Sequence, residues 1–301
     1  MTQPPITADW IAADWGTSHL RVWAMADGAD IAQAQSDQGM NRLSPGGFEA
    51  ALLELIEPWL GAGTTPVVAC GMVGARQGWV EAPYTAVPCT PLPVTPVRAQ
   101  AADQRLAVWV VPGLKQQSPP DVMRGEETQI AGFLALNPNF DGVLCLPGTH
   151  TKWAQISAGE VVSFQSFMTG ELFASLAENS VLRHTVAPCG WDEGTFADAL
   201  DDALSRPDRL AARLFTLRAD ALLNDTSGTQ GRARLSGLLI GAELAAAKPY
   251  WLGQQVGVIG ASAVAAPYVT ALTRQGNTPV QADAAAMTRA GLIAAHRNID
   301  T

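Results

Sequence analysis

The sequence predicts an α/β protein of two related lobes, each a mixed sheet flanked by helices, with a cleft between them. The first observation is a repeated plan. Trp10-Ile11-Ala12-Ala13-Asp14-Trp15-Gly16-Thr17-Ser18 and Val143-Leu144-Cys145-Leu146-Pro147-Gly148-Thr149-His150-Thr151 are both short apolar runs ending in Gly-Thr and further polar side chains. Each leads to a second apolar segment and a small turn, Asp27-Gly28 or Ala158-Gly159, which reads as strand, tight polar turn, strand, hairpin, strand. The second is that strands alternate with helical segments elsewhere, implying mostly parallel sheet with the hairpins as antiparallel edges. The third is length: 301 residues bury a core large enough to divide. Asn137-Pro138-Asn139 marks the boundary, giving lobes of residues 1–138 and 139–301, with the last helix able to return to the first lobe. So short a link favours a hinge over a floppy linker.

Taken in order, Ser44 as N-cap and Pro45 in the first helical position open a helix that runs to Leu60. Thr65-Pro66 leads into a strand over 67–70. The stretch from Gly74 to Arg98 is Pro-rich and irregular, and its run Arg76-Gln77-Gly78-Trp79-Val80-Glu81-Ala82-Pro83-Tyr84 suits a binding surface. A strand over 107–111 follows, separated by Pro119-Pro120 from a helix over 126–136. After the second hairpin come helices over 169–178, 208–223 and 236–247, a strand over 256–259 and a helix over 262–272. A short strand near Val280 feeds a final helix over 283–296.

A net charge of −9, with 19 Lys and Arg scattered among 28 Asp and Glu, excludes a broad nucleic-acid footprint but leaves room for a small anionic ligand. Cys70, Cys89, Cys145 and Cys189 lack CxxC spacing and read as free thiols in a reducing compartment. The first residues, Met1-Thr2-Gln3-Pro4-Pro5, carry neither a basic nor an apolar signal region, and no apolar run reaches the ~18 residues of a membrane span. A cytoplasmic protein without membrane or nucleic-acid partners is expected, and a homodimer is compatible with the sequence.

Two Gly-Thr turns, facing each other, would clamp a polyphosphate, because glycine lets backbone N–H groups approach an anion and the hydroxyls add donors. In the first, Gly16, Thr17 and Ser18 would meet the terminal phosphates. Asp14, which has Leu146 opposite it in the second copy, can hold a hydrated magnesium. Arg21 could touch the transferring phosphoryl group or a substrate anion. In the second turn Gly148, Thr149 and Thr151 supply donors, Lys152 a movable positive charge, and His150 a hydrogen bond rather than a base. Glu126 and Glu127 open a helix, where the macrodipole favours negative charge, and one of them or Asp121 could activate a hydroxyl. Gly260-Ala261-Ser262 follows a strand and can lie flat against adenosine, with Ser262 able to cap the next helix; Gly237 and Gly241 allow either ligand approach or close helix packing. Neither GxxxxGK[ST] nor a GxGxxG at a strand end is present.

With Asp14–Ser18, Pro147–Lys152 and Gly260–Ser262 in the order phosphate-1, phosphate-2, adenosine, the chain resembles the acetate and sugar kinase, chaperone ATPase and actin superfamily. More closely, Met123-Arg124-Gly125-Glu126-Glu127-Thr128-Gln129, Leu146-Pro147-Gly148-Thr149-His150-Thr151-Lys152-Trp153, Phe167-Met168-Thr169-Gly170-Glu171 and Ser236-Gly237-Leu238-Leu239-Ile240-Gly241-Ala242-Glu243 resemble the 2-dehydro-3-deoxygalactonokinase family nearly end to end. The resemblance implies a two-lobed actin-like ATPase (ribonuclease H-like) fold. It also implies a kinase that uses MgATP to phosphorylate the C6 hydroxyl of 2-dehydro-3-deoxy-D-galactonate in galactonate breakdown. By the same resemblance Glu127 stands where related sugar kinases carry the catalytic Asp. Residue chemistry on the resembling segments offers Arg76, Arg124, Trp79, Glu81 and Tyr84 for the sugar acid, with Arg21 open to phosphate or substrate. An epimeric acid such as 2-dehydro-3-deoxygluconate is the nearest alternative substrate, and an ATP-switched binding protein of the actin or chaperone type is the alternative outside enzymes.

Overall fold

The structure, a computed structural model, describes residues 7–44 and 46–299. The chain divides into two compact units: Met1–Phe140 with Ile156–Ser163 and Ala284–Thr301, and Asp141–Gln155 with Phe164–Asp283. In the first unit lie β1 (Trp10–Trp15), β2 (Leu20–Ala26), β3 (Ala29–Ser36), α1 (Phe48–Ile56), β4 (Thr65–Gly71), β5 (Tyr84–Ala86), β6 (Val97–Ala99), β7 (Leu106–Val110), β8 (Gly113–Gln117), β9 (Pro120–Met123) and α2 (Glu126–Leu136). The elements that follow are β10 (Gly142–Leu146), β11 (Thr151–Ser157), β12 (Glu160–Phe167), α3 (Thr169–Asn179), α4 (Glu193–Ser205), α5 (Leu210–Leu223), α6 (Gly228–Ala246), α7 (Lys248–Trp251), β13 (Val256–Ile259), α8 (Ser262–Arg274) and β14 (Val280–Ala282). The closing helix α9 (Ala284–His296) belongs to the first unit.

The first unit is built on a six-stranded sheet ordered β3-β2-β1-β4-β7-β6, beside a small sheet β5-β8-β9. β1, β4 and β7 run parallel, and β2, β3 and β6 form antiparallel edges. Because successive side chains point to opposite faces, Ile11, Ala13 and Trp15 of β1 join Val67 and Ala69 of β4 in the core that contains Phe48 and Leu52 of α1. Trp10, Ala12, Val68 and Cys70 instead join Leu292 and Ala295 of α9 on the other face. The same alternation assigns Asp14 to the α9 side, at the C-terminal end of its strand.

The other sheet has the order β12-β11-β10-β13-β14, with β10, β13 and β14 parallel. The hairpin tip Ile156–Ser163 groups with the first unit, where Val161 bridges Cys89. Both hairpin turns have the left-handed backbone of a type I′ turn, with φ of 51° and 78° at Asp27-Gly28 and 51° and 77° at Ala158-Gly159.

Several expectations change. Helix α1 starts at Phe48 with Gly47 rather than Ser44 at its N-cap, and ends at Ile56 before a 3-10 turn Glu57–Trp59; Pro45 lies outside the described residues. Pro119-Pro120, read as a break, sits in the β8–β9 hairpin, where Pro120 opens a strand and needs no ladder N–H. Helix α4, capped by Asp192 on the Thr195 N–H, was not expected, and α6 begins eight residues early behind a Ser227/Gln230 capping box. Gly237 and Gly241, offered for adenosine, face α4: a Cβ at either would come within 2.5 Å of the carbonyl oxygen of Phe196 or Leu200. Their i,i+4 spacing makes a flat strip on which α4 packs.

Helices α2 and α9 meet the same way. A Cβ at Gly132 would lie 1.9 Å from the Met287 carbonyl oxygen, and one at Gly291 would lie 1.9 Å from that of Thr128. Gly291→Ala should therefore destabilise the protein by about 1–3 kcal/mol through overpacking. Gly63→Ala, with nothing within 4 Å of the added methyl, should stay within about 0.5 kcal/mol. Urea unfolding of both checks this, and equal stabilities would refute the contact.

Candidate functional site

In the first unit the sheet brings Asp14 level with Arg21 of β2 and Cys70 of β4. The Arg21 guanidinium ion-pairs with Asp14, whose side chain is 13% exposed, and the Cys70 thiol lies 3.9 Å from Asp14 Oδ1. Arg21 is thus engaged by the carboxylate beside it. The turn beyond β1 is closed by a Gly16 N–H to His19 carbonyl bond of 2.9 Å, with Thr17 and Ser18 exposed.

Helix α2 delivers its first turn to the same strand ends. Gly71 takes a φ of 86°, and a Cβ there would come within 2.5 Å of the Trp15 carbonyl oxygen; Gly125, at φ 105°, packs against Gly71. Glu126 accepts the Arg124 N–H at 3.0 Å, while Glu127 accepts the Gly125 N–H at 2.7 Å and the Thr128 hydroxyl at 3.0 Å. Both carboxylates reach back to backbone N–H groups just before their helix, yet their surroundings differ. Glu127 is 0% exposed, and burial, then the neighbouring Glu126 charge, pushes its pKa up to about 8. The Cys70 thiol is pushed up as well, by burial and then by the carboxylates of Asp14 and Glu127. Asp14, Cys70 and Glu127 therefore form one group. Asp121 is on β9, its carboxylate accepting the Val122 N–H.

Among the residues offered for a sugar acid, Arg124 is the most constrained. Its guanidinium lies 4.3 Å over the Tyr84 ring, donates to the Ala82 carbonyl at 2.7 Å and to the Tyr84 hydroxyl at 3.3 Å, and approaches Gly74. Its buried Nη1 has no acceptor among the described residues. Trp79 donates its indole N–H to Gln100 and sets its ring edge-on to Trp15, which fixes the loop; Arg76 and Glu81 are exposed.

In the second unit Gly148, Thr149 and His150 form an exposed turn between β10 and β11. Helix α3 backs it: the Glu171 N–H donates to the Thr149 carbonyl at 2.9 Å, and the Glu171 carboxylate meets His150 Nε2 at 2.5 Å. The two residues after the turn differ from expectation. Thr151 is fully buried with its hydroxyl 2.8 Å from that of Tyr268, so it is no surface donor. Lys152, 6% exposed, donates to Ser166 at 2.6 Å and is a fixed charge within the sheet rather than a movable one. Gly260-Ala261-Ser262 follows β13, with the Gly260 N–H on Ala282; Ala261, not Ser262, is the N-cap of α8, and Ser262 is its exposed first residue.

Beneath the turn lies a buried cluster whose role the residue reading left unassigned. Glu243 of α6, 3% exposed, accepts the Trp153 indole N–H at 2.7 Å, the Tyr268 hydroxyl at 2.8 Å and the Thr169 hydroxyl. Burial pushes its pKa up to about 7, and the three donors oppose that shift. A Glu between glycines and leucines in a helical run is the signal that could have revealed it; Cys70, an apolar-looking strand residue, offered none.

No cluster of three or more His, Cys, Asp and Glu side chains suited to a metal occurs among the described residues. The lone Asp14 carboxylate does fit a hydrated magnesium that shares its ligands with phosphate oxygens. No helix among the described residues is long and apolar enough to cross a membrane.

A sequence profile described as 2-keto-3-deoxy-galactonokinase matches residues 14–295. The chain is 38% identical to a probable 2-dehydro-3-deoxygalactonokinase of Rhizobium meliloti, covering 97% of this chain and 98% of the relative. It is 34% identical to the 2-dehydro-3-deoxygalactonokinase of Escherichia coli, over 90% and 91%. A crystal structure of a provisionally assigned 2-dehydro-3-deoxygalactonokinase from Sinorhizobium meliloti superposes with a TM-score of 0.86 at 37% identity, covering 96% and 98%. The ADPNP-bound activator of 2-hydroxyisocaproyl-CoA dehydratase from Clostridium difficile, at 9% identity and a TM-score of 0.50 over 97% and 98%, shares the fold alone. These neighbours carry the actin-like ATPase fold expected from the sequence. With the profile spanning nearly the whole chain and two relatives above a third identical, the protein belongs to the 2-keto-3-deoxy-galactonokinase family.

Proposed function

We propose that the protein transfers the terminal phosphoryl group of ATP to the C6 hydroxyl of 2-dehydro-3-deoxy-D-galactonate in galactonate breakdown. Family membership supports the substrate class, and the juxtaposition of Glu127 with Cys70 and Asp14 carries the mechanism. Each unit supplies one part of the reaction. In the first, Glu127 orients the hydroxyl and takes its proton; a carboxylate with raised proton affinity is a better base than an ordinary one near neutral pH. Magnesium arriving with ATP supplies neutralisation of phosphate charge, and Asp14 is the residue that would hold it through water. Arg21, by pairing with Asp14, keeps that carboxylate aimed.

The second unit holds the nucleotide. Backbone and hydroxyl groups of Gly148 and Thr149 receive the phosphates, His150 adds a donor, and Gly260-Ala261-Ser262 lies against the adenosine. Gly16, Thr17 and Ser18 serve the terminal phosphate. For the sugar acid, the free Nη1 of Arg124 takes the carboxylate, with Arg76 and Glu81 available to the hydroxyls. Phosphoryl transfer needs little covalent help, so positioning and charge stabilisation carry most of the rate.

A coupled ADP-release assay with the sugar acid tests this. Glu127→Gln should lower kcat by about 10²–10⁴-fold, and Asp14→Asn should cut turnover likewise; near-normal rates in both would sink the assignment. The base works only when ionised, so kcat/KM should fall as pH drops through about 8. Glu126→Gln, by removing the adjacent negative charge, should move that limb to lower pH, which pH–rate profiles of the two proteins will reveal. Arg124→Lys should raise the KM for the sugar acid by about ten-fold through loss of planar pairing, while the KM for ATP holds.

A further inference from the structure

The buried cluster under the second turn ties together elements that the turn hangs from. Thr151 is the first residue of β11, directly after the turn, and Thr169 is the first residue of α3. The two segments clamp the turn between them. A Cβ at Gly170 would lie 2.2 Å from the Gly148 carbonyl oxygen, and the Glu171 N–H holds the Thr149 carbonyl. Glu243 joins both sides, accepting from Thr169 directly and from Thr151 by way of Tyr268. Its other oxygen takes Trp153, on the same face of β11 as Thr151.

When Glu243 is ionised, hydrogen-bond chemistry also fixes the direction of this chain. An ionised carboxylate only accepts, and an indole N–H only donates. Tyr268 must then donate to Glu243, so its oxygen accepts the Thr151 proton, and the Thr151 hydroxyl is committed inward. The donors left for a ligand are those of the exposed Gly148, Thr149 and His150.

We propose that Glu243 is a positioning residue for nucleotide binding, holding the Gly148–His150 turn in its phosphate-accepting shape through Thr169 and the Tyr268–Thr151 relay. The proposal rests on the reading of that turn as a phosphate site. It predicts a defect confined to ATP, since Glu243 touches none of the residues assigned to the sugar acid. Three buried donors would lose their acceptor in Glu243→Ala, so that variant risks misfolding. Two milder ones keep the question open to measurement. Tyr268→Phe retains the ring and removes the relay hydroxyl, and Glu243→Gln retains one acceptor oxygen for Trp153.

Steady-state kinetics of the full chain, with each substrate varied at saturating levels of the other, and thermal unfolding alongside, test the assignment. Tyr268→Phe should raise the KM for ATP by about ten-fold, the worth of a charge-assisted hydrogen bond. Glu243→Gln should raise it less than Glu243→Ala, and all variants should keep the KM for the sugar acid within about two-fold of wild type. ATP KM values unchanged in Tyr268→Phe and Glu243→Gln, with turnover falling only in step with the folded fraction, would overturn the proposal in favour of a plain structural role. Thr149→Ala separates the two levels. If it raises the KM for ATP and the Glu243 and Tyr268 variants do not, the relay alone is wrong; if it too leaves that KM unchanged, the phosphate-turn reading falls and the proposal with it.

Discussion

In the first unit, chemistry depends on how closely two helices approach. Gly132 and Gly291 let α2 and α9 touch backbone to backbone, each presenting a carbonyl where the other would carry a methyl. Helix α9 lies on the face of β1 and β4 that contains Ala12 and Cys70. Helix α2, pressed against α9 at this distance, begins beside the C-terminal ends of those strands, where Gly125 packs on Gly71. That is why Glu127 arrives at Cys70 and Asp14 instead of in solvent, and why Gly71 and Gly125 are needed where the backbones converge.

Two buried carboxylates in the molecule are satisfied in different ways. Glu127 draws its donors from its own helix turn, Gly125 and Thr128, and has a second negative charge next to it. Local donors leave it weakly tied to the rest of the fold, which suits a group that must gain and lose a proton. Glu243 draws donors from β11, α3 and α8 and so acts as a cross-link between elements far apart in sequence. Burying a carboxylate is costly unless donors surround it. Glu243 meets that requirement with three separate side chains, and the elements bearing them are held in return.

Much of the fold was legible because its signals are local. The hairpin turns Asp27-Gly28 and Ala158-Gly159, the start of α2 at Glu126 and the strand Val256–Ile259 all follow from residues adjacent in sequence. The candidate site was legible in part: Asp14, the Glu126-Glu127 pair and the exposed Gly148-Thr149 are chemically conspicuous. Other features depended on distant partners. Gly237 and Gly241 look equally ready for a ligand or a helix until α4 is seen beside them, and α4 itself was obscured by its Ala- and Asp-rich sequence. Lys152 and Thr151 sit in a strand whose alternation, read alone, does not say which face is sealed. Ser166 and Tyr268 decide that, and both come from later in the chain.

The thiol of Cys70 has a consequence of another kind. Thiols react with oxidants and electrophiles as thiolates, and this one is buried between two carboxylates that oppose its ionisation. A sulfur atom within hydrogen-bonding distance of Asp14 is therefore chemically quiet. The protein can keep a small, polarisable side chain at this crowded point without exposing that point to the redox chemistry of its surroundings, whereas the thiol of Cys189, in the other unit, is exposed.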